Sequence, residues 1–314
     1  FALIWKEANK RFDEYGNDKK VGTNGFYAMK AHWSEHPDRD QDWADAEKAR
    51  IGEERFRREH ECEFLIYDET LISSTHLVDM EGSAPVETTG QVRWFKRPTP
   101  GNTYLTSLDP AMGTGGDYAA IQVFELPSFE QVAEWHHNTT PMNHQVRILQ
   151  QINKHLHDAI MEKDQTASPQ IFYSMENNSI GEAALLRVMD IGEENIPGMF
   201  LSEPIRKGHR RKFRRGFNTT AKHKIDACTK FKELVENDKM KLNSQLLISE
   251  LKDFVASGMS YSAKAGQHDD LVSACLLMTR MIKTLADFDP KIFEKWTDRT
   301  SELKPMPVFG SFYG

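Results

Sequence analysis

The spacing of apolar residues predicts three consecutive strands in the middle of the chain. Residues 103–109, 118–126 and 131–137 alternate between apolar and polar side chains as strands do, and their short connections favour an antiparallel meander. The apolar residues that follow recur either with helical spacing or as a short buried run. These later segments are a helix over 141–160, a strand over 170–176, and helices over 179–191, 219–237 and 269–285.

The order of these elements indicates a fold class. Three strands, a helix, a strand and further helices are typical of an α/β fold of the RNase H-like (resolvase/integrase) type, in which helices flank a central mixed sheet. A Pro- and Gly-rich break near 82–102, whose apolar stretch at 92–95 could form a short strand, follows a highly charged segment with a helical pattern over 41–60. The predicted organisation is the remnant of an upstream domain and a linker helix at 1–80, a linker at 81–102, the RNase H-like domain at 103–290 and a tail at 291–314.

Acidic residues that are distant in the sequence lie at the ends of predicted elements. Asp109 ends the first strand, Glu176 ends the fourth, and Asp269 and Asp270 open the last helix. Mg²⁺ and Mn²⁺ prefer oxygen ligands, and two such ions about 3.5–4 Å apart can stabilise both the attacking and the leaving oxygen of a phosphodiester. We therefore predict a two-metal phosphodiesterase site with Asp109, Glu176 and Asp270 as its catalytic and metal-binding residues.

Each of these acidic residues also has a purely structural interpretation. Asp109 could form a turn, Glu176 could be a surface residue at a strand end, and Asp269 is a natural helix N-cap. Their joint position on one predicted fold favours the metal site over three separate structural roles. Asp269 is the alternative to Asp270 for the third ligand, and Asp117 is a candidate auxiliary ligand of a metal or of water.

The glycine-rich segment Gly113–Gly116 has two interpretations. It can close a hairpin between the first two strands, which we favour, or it can cradle phosphate as the similar loop of actin-like and sugar-kinase folds does. His136 and His137 lie on a predicted strand and His268 precedes Asp269, which could suggest a metal site, but the spacing of these histidines matches no zinc pattern. Structural roles are favoured for them, with contact between His268 and a metal-bound water as the alternative.

The chain carries a net charge of −7 but has one strongly basic segment. Residues 206–224 include nine lysines and arginines and no acidic residue. Such a run is often a solvated face, yet one basic block on an acidic protein favours local contact with a polyanion. The candidate DNA-binding residues are Arg206, Lys207, Arg210, Arg211, Lys212, Arg214, Arg215, Lys222 and Lys224.

Other classes of protein fit the composition poorly. No apolar run has the roughly 18 residues of a membrane helix, and no secretory signal segment begins the chain. The cysteines Cys62, Cys228 and Cys275 form neither a zinc pattern nor a disulfide framework, so we expect them to be reduced and buried in a cytosolic setting.

Several of these motifs resemble those of a known family. In chain order they resemble the acidic and Gly-aromatic-x-Thr-Thr motifs of the large terminase subunit of tailed bacteriophages, most closely of contractile-tailed phages. The segments that carry the resemblance are Leu108–Pro110 with Gly113–Tyr118, Met175–Asn177, Gly216–Thr220 with Lys224, and Gly266–Val272. Residues 55–72 resemble the family's link between its ATPase and nuclease domains, so the resemblance spans about 50–285.

The resemblance implies a viral DNA-packaging enzyme whose nuclease cuts concatemeric double-stranded DNA with two Mg²⁺ or Mn²⁺ ions. By motif position, Asp109, Glu176 and Asp270 correspond to the metal-binding triad. ATP would act only in an N-terminal domain, because the ATP-binding motifs are absent from this sequence. The implied partners are DNA, the portal of the procapsid and the small terminase subunit, with a ring on the portal, a monomer in isolation, and the host cytoplasm as location.

Three alternatives stay open. The chain could be a non-catalytic module that grips DNA or docks on a portal, which the basic segment supports as well as it supports a nuclease. It could be an RNase H-like junction resolvase or integrase, which would share the acidic residues. It could also be an actin-like phosphotransferase that uses Gly113–Gly116, in which case the isolated chain would bind ATP.

Overall fold

A seven-stranded mixed sheet forms the centre of the larger of two structural units. The structure is a computed structural model, and the chain divides into Phe1–Tyr67 and Asp68–Gly314. The structure describes residues 4–5, 8, 19–61, 70–178, 180–203, 215–258 and 260–288. The predicted boundaries at residues 80, 102 and 290 stay predictions.

Within the described part of the smaller unit, residues 41–59 form two short helices. Helix α1 (Gln41–Ile51) begins at Asp40, whose side chain accepts a hydrogen bond from the Trp43 amide. Helix α2 (Glu53–Glu59) follows after Gly52, whose φ of 86° ends α1. The helical prediction for residues 41–60 is therefore confirmed, with a break at Gly52 that the sequence pattern did not reveal.

The large sheet contains strands from a long stretch of the chain. Its strands are β1 (Glu87–Thr89), β2 (Val92–Trp94), β3 (Thr103–Asp109), β4 (Ala119–Leu126), β5 (Glu130–His137), β6 (Gln170–Met175) and β7 (Met199–Phe200). Their order is β1-β2-β5-β4-β3-β6-β7, with β6 parallel to both β3 and β7 and the other pairs antiparallel. The predicted meander and the mixed sheet are confirmed. The sheet also includes β1 and β2, which lie in the segment predicted as a linker.

The remaining elements of this unit are helices and one small hairpin. They are α3 (Ser74–Asp79), α4 (Met142–Lys163), α5 (Gly181–Ile191), α6 (Ala221–Glu236), α7 (Gln245–Asp253), the hairpin strands β8 (Phe254–Ser257) and β9 (Ser260–Ala263), and α8 (Asp270–Phe288). The predicted helices correspond to α4, α5, α6 and α8, whose ends differ from the predicted ones by no more than three residues. Helices α3 and α7, strands β1 and β7 and the β8–β9 hairpin were not predicted.

The two faces of the sheet are covered by different helices. Tyr104 and Leu108 of β3 belong to the hydrophobic core that α4 and α5 complete on one face. Ser107 points to the other face, where its Oγ donates a hydrogen bond to the Ala274 carbonyl of α8 at 2.8 Å. Because side chains alternate along a strand, Asp109 lies on the same face as Ser107 and therefore faces α8.

Two properties predicted from composition can be compared with the described residues. Cys228 and Cys275 are free and buried, as expected, and Cys62 lies outside the described residues. In the part of the chain that the structure describes, no helix is long and apolar enough to cross a membrane.

Candidate metal site and nucleic-acid interface

Two of the predicted site residues lie at neighbouring strand ends. Strands β3 and β6 run parallel, with Leu108 opposite Met175, and the Glu176 amide donates a hydrogen bond to the Leu108 carbonyl at 3.1 Å. Asp109 and Glu176 are therefore the next residues of adjacent strands, and both are partly exposed at this edge of the sheet. The predicted strand ends bring these two carboxylates together.

The N-terminus of α8 brings two more carboxylates to the cluster. Asp270 is its first residue, and its Oδ2 accepts a hydrogen bond from the Tyr118 amide at 3.3 Å. The preceding Asp269 accepts one from the Ala263 amide at 3.3 Å and lies 3.8 Å from Lys224 Nζ. The two neighbouring aspartates thus have different partners: Asp270 is held at the start of β4, and Asp269 between β9 and α6.

The electrostatics identify one acidic cluster rather than separate residues. The pKa of Asp109 is raised well above its usual value, first by loss of solvation, then by the charge of Glu176 and a hydrogen bond with it, and then by Asp270 and Asp269. Loss of solvation also raises the pKa of Asp270 to about 6, against the opposing hydrogen bond from the Tyr118 amide. A cation bound among these oxygens would remove the repulsion that raises both pKa values.

The carboxylates of the cluster are not arranged as a complete set of metal ligands. Among the residues that the structure describes, no group of three or more Asp, Glu, His or Cys side chains surrounds one point as metal ligands do. The donor set nevertheless fits Mg²⁺ or Mn²⁺, because these ions prefer oxygen ligands and the side chains of Asp109, Glu176, Asp269 and Asp270 offer carboxylate oxygens. Metal binding would require the ionised form of Asp109, whose pKa is raised without it.

Glu250 of α7 is a largely buried carboxyl beside this cluster that sequence reasoning missed. Its Oε2 accepts a hydrogen bond from the Val272 amide at 3.1 Å. Loss of solvation, with a further contribution from Asp270 and Asp269, raises the pKa of Glu250 to about 9. No motif marks this glutamate in the sequence, because its role depends on how α7 packs.

Two of the three candidate histidines lie close to these carboxyls: His136 is near Glu250, and His268 is near Asp270. His136 Nε2 is 3.7 Å from Glu250 Oε1, and loss of solvation lowers the pKa of His136 to about 4. The His136 ring stacks on Tyr118 with centroids 4.1 Å apart. His268 lies against the edge of the same tyrosine, and its Nδ1 is 3.6 Å from Asp270 Oδ2. His137 forms a hydrogen bond with the Thr140 hydroxyl.

The glycine-rich segment closes a hairpin, as favoured. It joins the antiparallel strands β3 and β4, and the Gly115 amide donates to the Asn138 carbonyl at 2.9 Å. Gly113 has a φ of 72°, and a Cβ there would lie 2.2 Å from the Thr140 carbonyl oxygen. Asp117, the candidate auxiliary ligand, lies exposed in this loop.

Only part of the predicted basic surface can be located. Arg206, Lys207, Arg210, Arg211, Lys212 and Arg214 lie outside the described residues. Arg215 forms an ion pair with Glu193, and Lys222 is exposed at the start of α6. Lys224 reaches the acidic cluster at Asp269 and lies 5.4 Å from the centre of the Phe254 ring.

The residues on either side of 204–214 are joined to each other. The Glu203 amide donates to the Gly216 carbonyl at 3.2 Å, and the Asn218 amide donates to the Glu203 carboxylate at 3.4 Å. Arg280 of α8 forms an ion pair with Glu203 and donates to the Asn218 carbonyl at 3.1 Å. The described residues on either side of 204–214 therefore lie next to each other and contact Arg280 of α8.

This place is next to Glu176. The Phe217 amide donates to the Met175 carbonyl at 3.1 Å, and the Asn177 amide donates to the Phe217 carbonyl at 2.7 Å. The residues that flank Glu176 thus pair with Phe217, which belongs to the basic segment 206–224. The described part of that segment, from Phe217 to Lys224, therefore lies beside the acidic cluster.

The comparisons with known proteins agree with this fold. A model of the terminase RNase H-like domain matches residues 106–281. The magnesium-bound large terminase nuclease of thermophilic phage G20c is 16% identical, with a TM-score of 0.50 over 68% of this chain and 97% of that chain. A second structure of that nuclease gives the same TM-score and identity over 67% and 96%. The terminase nuclease domain of human cytomegalovirus, soaked with manganese, is 13% identical with a TM-score of 0.44 over 68% and 94%.

At 16% identity, the similarity to the G20c nuclease supports the fold alone. The match to the family model supports membership of the family. The predicted RNase H-like fold is confirmed, and so is the resemblance to the nuclease domain of large terminases. The matched region begins within β3 and ends within α8, so it includes every acidic residue of the cluster. Because the family model covers more than half of the sequence, the chain belongs to the family of terminase RNase H-like domains.

Proposed function

We propose that this protein is a metal-dependent endonuclease that cuts concatemeric double-stranded DNA during viral genome packaging. The observation that carries the proposal is the cluster of Asp109, Glu176 and Asp270 from β3, β6 and α8, in which the charges of Glu176 and Asp270 help to raise the pKa of Asp109. Repelling carboxylates destabilise a fold unless a ligand compensates them, and a divalent cation is such a ligand. The magnesium-bound G20c nuclease, which has a similar fold, makes Mg²⁺ or Mn²⁺ the first candidates.

The three carboxylates have distinct roles in this proposal. Asp109, at the centre of the cluster, would contribute oxygens to both of two ions, and Glu176 and Asp270 would each complete the coordination of one. Bound metal supplies an activated water and stabilises charge on the leaving oxygen. Asp269 is the alternative third ligand, but its contacts with Lys224 and Ala263 favour a supporting role. Asp117 stays a candidate auxiliary ligand.

Lys224 and the basic segment would hold the DNA backbone. Lys224 is the described cation that pairs with the cluster, so it is placed to contact a phosphate beside the scissile bond. Arg215, Lys222 and residues 206–214 would bind neighbouring phosphates, which position a duplex without reading its bases. We therefore propose cutting with little sequence preference.

Membership of the terminase family supports a wider role in packaging, which the residues of this chain do not by themselves indicate. We propose that the protein works on a procapsid portal, with the small terminase subunit as partner and as a ring when assembled. ATP hydrolysis would belong to an upstream domain of the same subunit. These proposals can be tested by co-purification with portal and small subunit.

The central test is nicking of supercoiled plasmid by the 314-residue chain with Mg²⁺ or Mn²⁺. We expect cleavage by the wild type and its loss in Asp109→Ala, Glu176→Ala and Asp270→Ala. Asp269→Ala separates the two candidates for the third ligand, since it should retain more cleavage than Asp270→Ala. Cleavage that is unchanged in all the triad variants would show that the site is elsewhere.

The basic segment also favours a second candidate, a non-catalytic module that grips DNA. That module would bind DNA in a salt-sensitive manner and would cut it with neither metal. The same plasmid assay, combined with a DNA-binding measurement, distinguishes the two functions.

A further inference from the structure

Helix α7 connects the sheet to the start of α8. At its N-terminus the Ser244 hydroxyl accepts a hydrogen bond from the Leu247 amide at 3.1 Å. The same hydroxyl donates to the Glu134 carboxylate of β5 at 2.6 Å. This end of α7 is therefore fixed to the central sheet by a buried hydrogen bond.

The other end of α7 holds the helix that carries Asp270. The first amides of a helix have no partner within it, and Glu250 supplies an acceptor to one of them, that of Val272. The second oxygen of Glu250 lies 3.7 Å from Nε2 of His136, and that buried nitrogen has no hydrogen-bond partner among the described residues. One carboxyl thus lies between β5 and the first turn of α8.

A second connection leads from His136 to Asp270. The His136 ring lies almost parallel to the ring of Tyr118, at 15° between planes. The backbone amide of Tyr118 donates to Asp270 Oδ2 at 3.3 Å. Two chains of contacts therefore connect Glu250 with Asp270. One passes through the Val272 amide in the first turn of α8, and the other through His136 and Tyr118 to the Asp270 side chain.

We propose that Glu250 is a positioning residue for Asp270, which sets how well the acidic cluster binds its metal ions. The proposal rests on the proposed nuclease function. Glu250 is not itself assigned as a ligand, because one of its oxygens is bonded to Val272 and the other faces His136. Groups behind metal ligands commonly change metal affinity by about 10–100-fold when they are removed.

Two substitutions of Glu250 separate positioning from simple loss of charge. Glu250→Ala removes the acceptor for the Val272 amide, so we expect the Kd for Mn²⁺ to rise by roughly 10-fold or more. Glu250→Gln keeps an oxygen for that amide and offers an N–H to His136 Nε2, so it should retain nearly wild-type affinity. Glu125→Ala is the control, since Glu125 is another glutamate of low exposure, even more deeply buried than Glu250, but pairs with Lys96 at the opposite end of β4.

The measurement is Mn²⁺ binding to the 314-residue chain by electron paramagnetic resonance, followed by plasmid nicking over a range of Mn²⁺ concentrations. The expected result is weaker binding and a higher Mn²⁺ requirement for Glu250→Ala alone, with the Michaelis constant for DNA unchanged. Equal Mn²⁺ binding by Glu250→Ala and the wild type would overturn the proposal, and so would an equal loss in Glu125→Ala. A wild type that neither binds Mn²⁺ nor nicks DNA would instead refute the nuclease function itself.

His136→Ala keeps the inference testable if Glu250→Ala does not fold. It removes the ring that stacks on Tyr118 while it leaves the hydrogen bond between Glu250 and the Val272 amide intact. We expect a severalfold rise in the Kd for Mn²⁺ from this variant. Unchanged Mn²⁺ binding in His136→Ala would contradict the connection through Tyr118.

Discussion

The Asp109 carboxyl is placed where its ionised form is unfavourable. Its pKa is raised by loss of solvation and by three other acidic residues, so ionising it in the folded protein costs free energy. Sites with this property gain function at the expense of stability. Replacing the carboxyl with an isosteric neutral group should therefore separate stability from activity.

We expect Asp109→Asn to be more stable than the wild type when no divalent metal is present. The gain in free energy of unfolding should be about 0.5–2 kcal/mol, the range that single stabilising substitutions commonly give. Thermal unfolding in EDTA measures it, and plasmid nicking should show that cleavage is lost. As control, Asp164→Asn should show no gain, because hydrogen bonds from Thr166 lower the pKa of Asp164 and favour its charge. A less stable Asp109→Asn protein would contradict the assigned repulsion.

Glu250 should make stability depend on pH between about 4.5 and 9. Its folded pKa is about 9, above the ordinary 4.5, so the folded state retains a proton that the unfolded state has lost between these values. Stability from this group is complete below pH 4.5 and is lost as the pH rises towards 9, with a slope of at most about 1.4 kcal/mol per pH unit. The pKa of His136 is about 4 in the folded state and 6.5 in the unfolded state. Its contribution to stability therefore increases with pH and is complete above about pH 6.5.

The comparison of wild type with Glu250→Gln isolates this effect. Between pH 6.5 and 9 we expect the free energy of unfolding of the wild type to fall more steeply than that of Glu250→Gln. Urea unfolding at several pH values gives both curves. Parallel curves would mean that Glu250 ionises in the folded protein with an ordinary pKa.

At the scale of elements, the sequence pattern locates the parts that carry the predicted site. Strands β3 and β6 and helix α8 are long enough to have a clear period, so their ends are predicted to within one residue where Asp109, Glu176 and Asp270 lie. The strand order follows from short connections and one crossover helix. This strand order places the ends of β3 and β6 side by side. The sequence positions of Asp109 and Glu176 alone would not predict that these residues are close in space.

The elements that were missed are short, and they depend on tertiary contacts. The β8–β9 strands have four residues each, which leaves too few periods for a pattern to be distinguished. Helix α7 has nine residues and does carry local signals, namely Ser244 as N-cap and the helical spacing of Leu247, Ile248 and Leu251. The role of Glu250 depends on the packing of α7 against β5 and α8, which no local signal encodes.

The start of α5 should be intolerant of any side chain. Gly181 is the first residue of that helix, and a Cβ there would lie 1.8 Å from the backbone oxygen of Glu176. Gly181→Ala must therefore move either the helix or the strand end that carries Glu176. A displacement of about 1 Å in a reacting group can cost about 100-fold in rate, and we expect a loss of cleavage of that order.

The matched control is Gly116→Ala in the β3–β4 loop. An added Cβ there has open space around it, so folding and cleavage should be unchanged. Plasmid nicking and thermal unfolding are measured for both variants, with DNA affinity as a further readout. If Gly181→Ala cleaves as fast as Gly116→Ala, then Glu176 tolerates displacement and its assignment as a ligand is wrong.

At the scale of the whole molecule, a net charge of −7 is combined with a local basic surface. In the proposed function, the acidic average would disfavour DNA over most of the protein, and the basic residues of 206–224 would bind it. The contacts among Glu203, Gly216, Asn218 and Arg280 hold the residues on either side of 204–214 beside Glu176. This arrangement would direct a duplex to one edge of the sheet rather than to the protein as a whole.

This localisation predicts which lysines determine the salt dependence of DNA binding. Each phosphate contact adds about 0.9 to the slope of the logarithm of affinity against the logarithm of salt concentration. Lys222→Ala, at the start of α6, should reduce that slope by about one and weaken binding to any duplex sequence. Lys154→Ala removes an equally exposed lysine from α4, on the opposite face of the sheet, and should leave the slope unchanged. Fluorescence anisotropy with one labelled duplex at several salt concentrations measures both slopes, and equal slopes for the two variants would mean that DNA is not confined to the edge near Glu176.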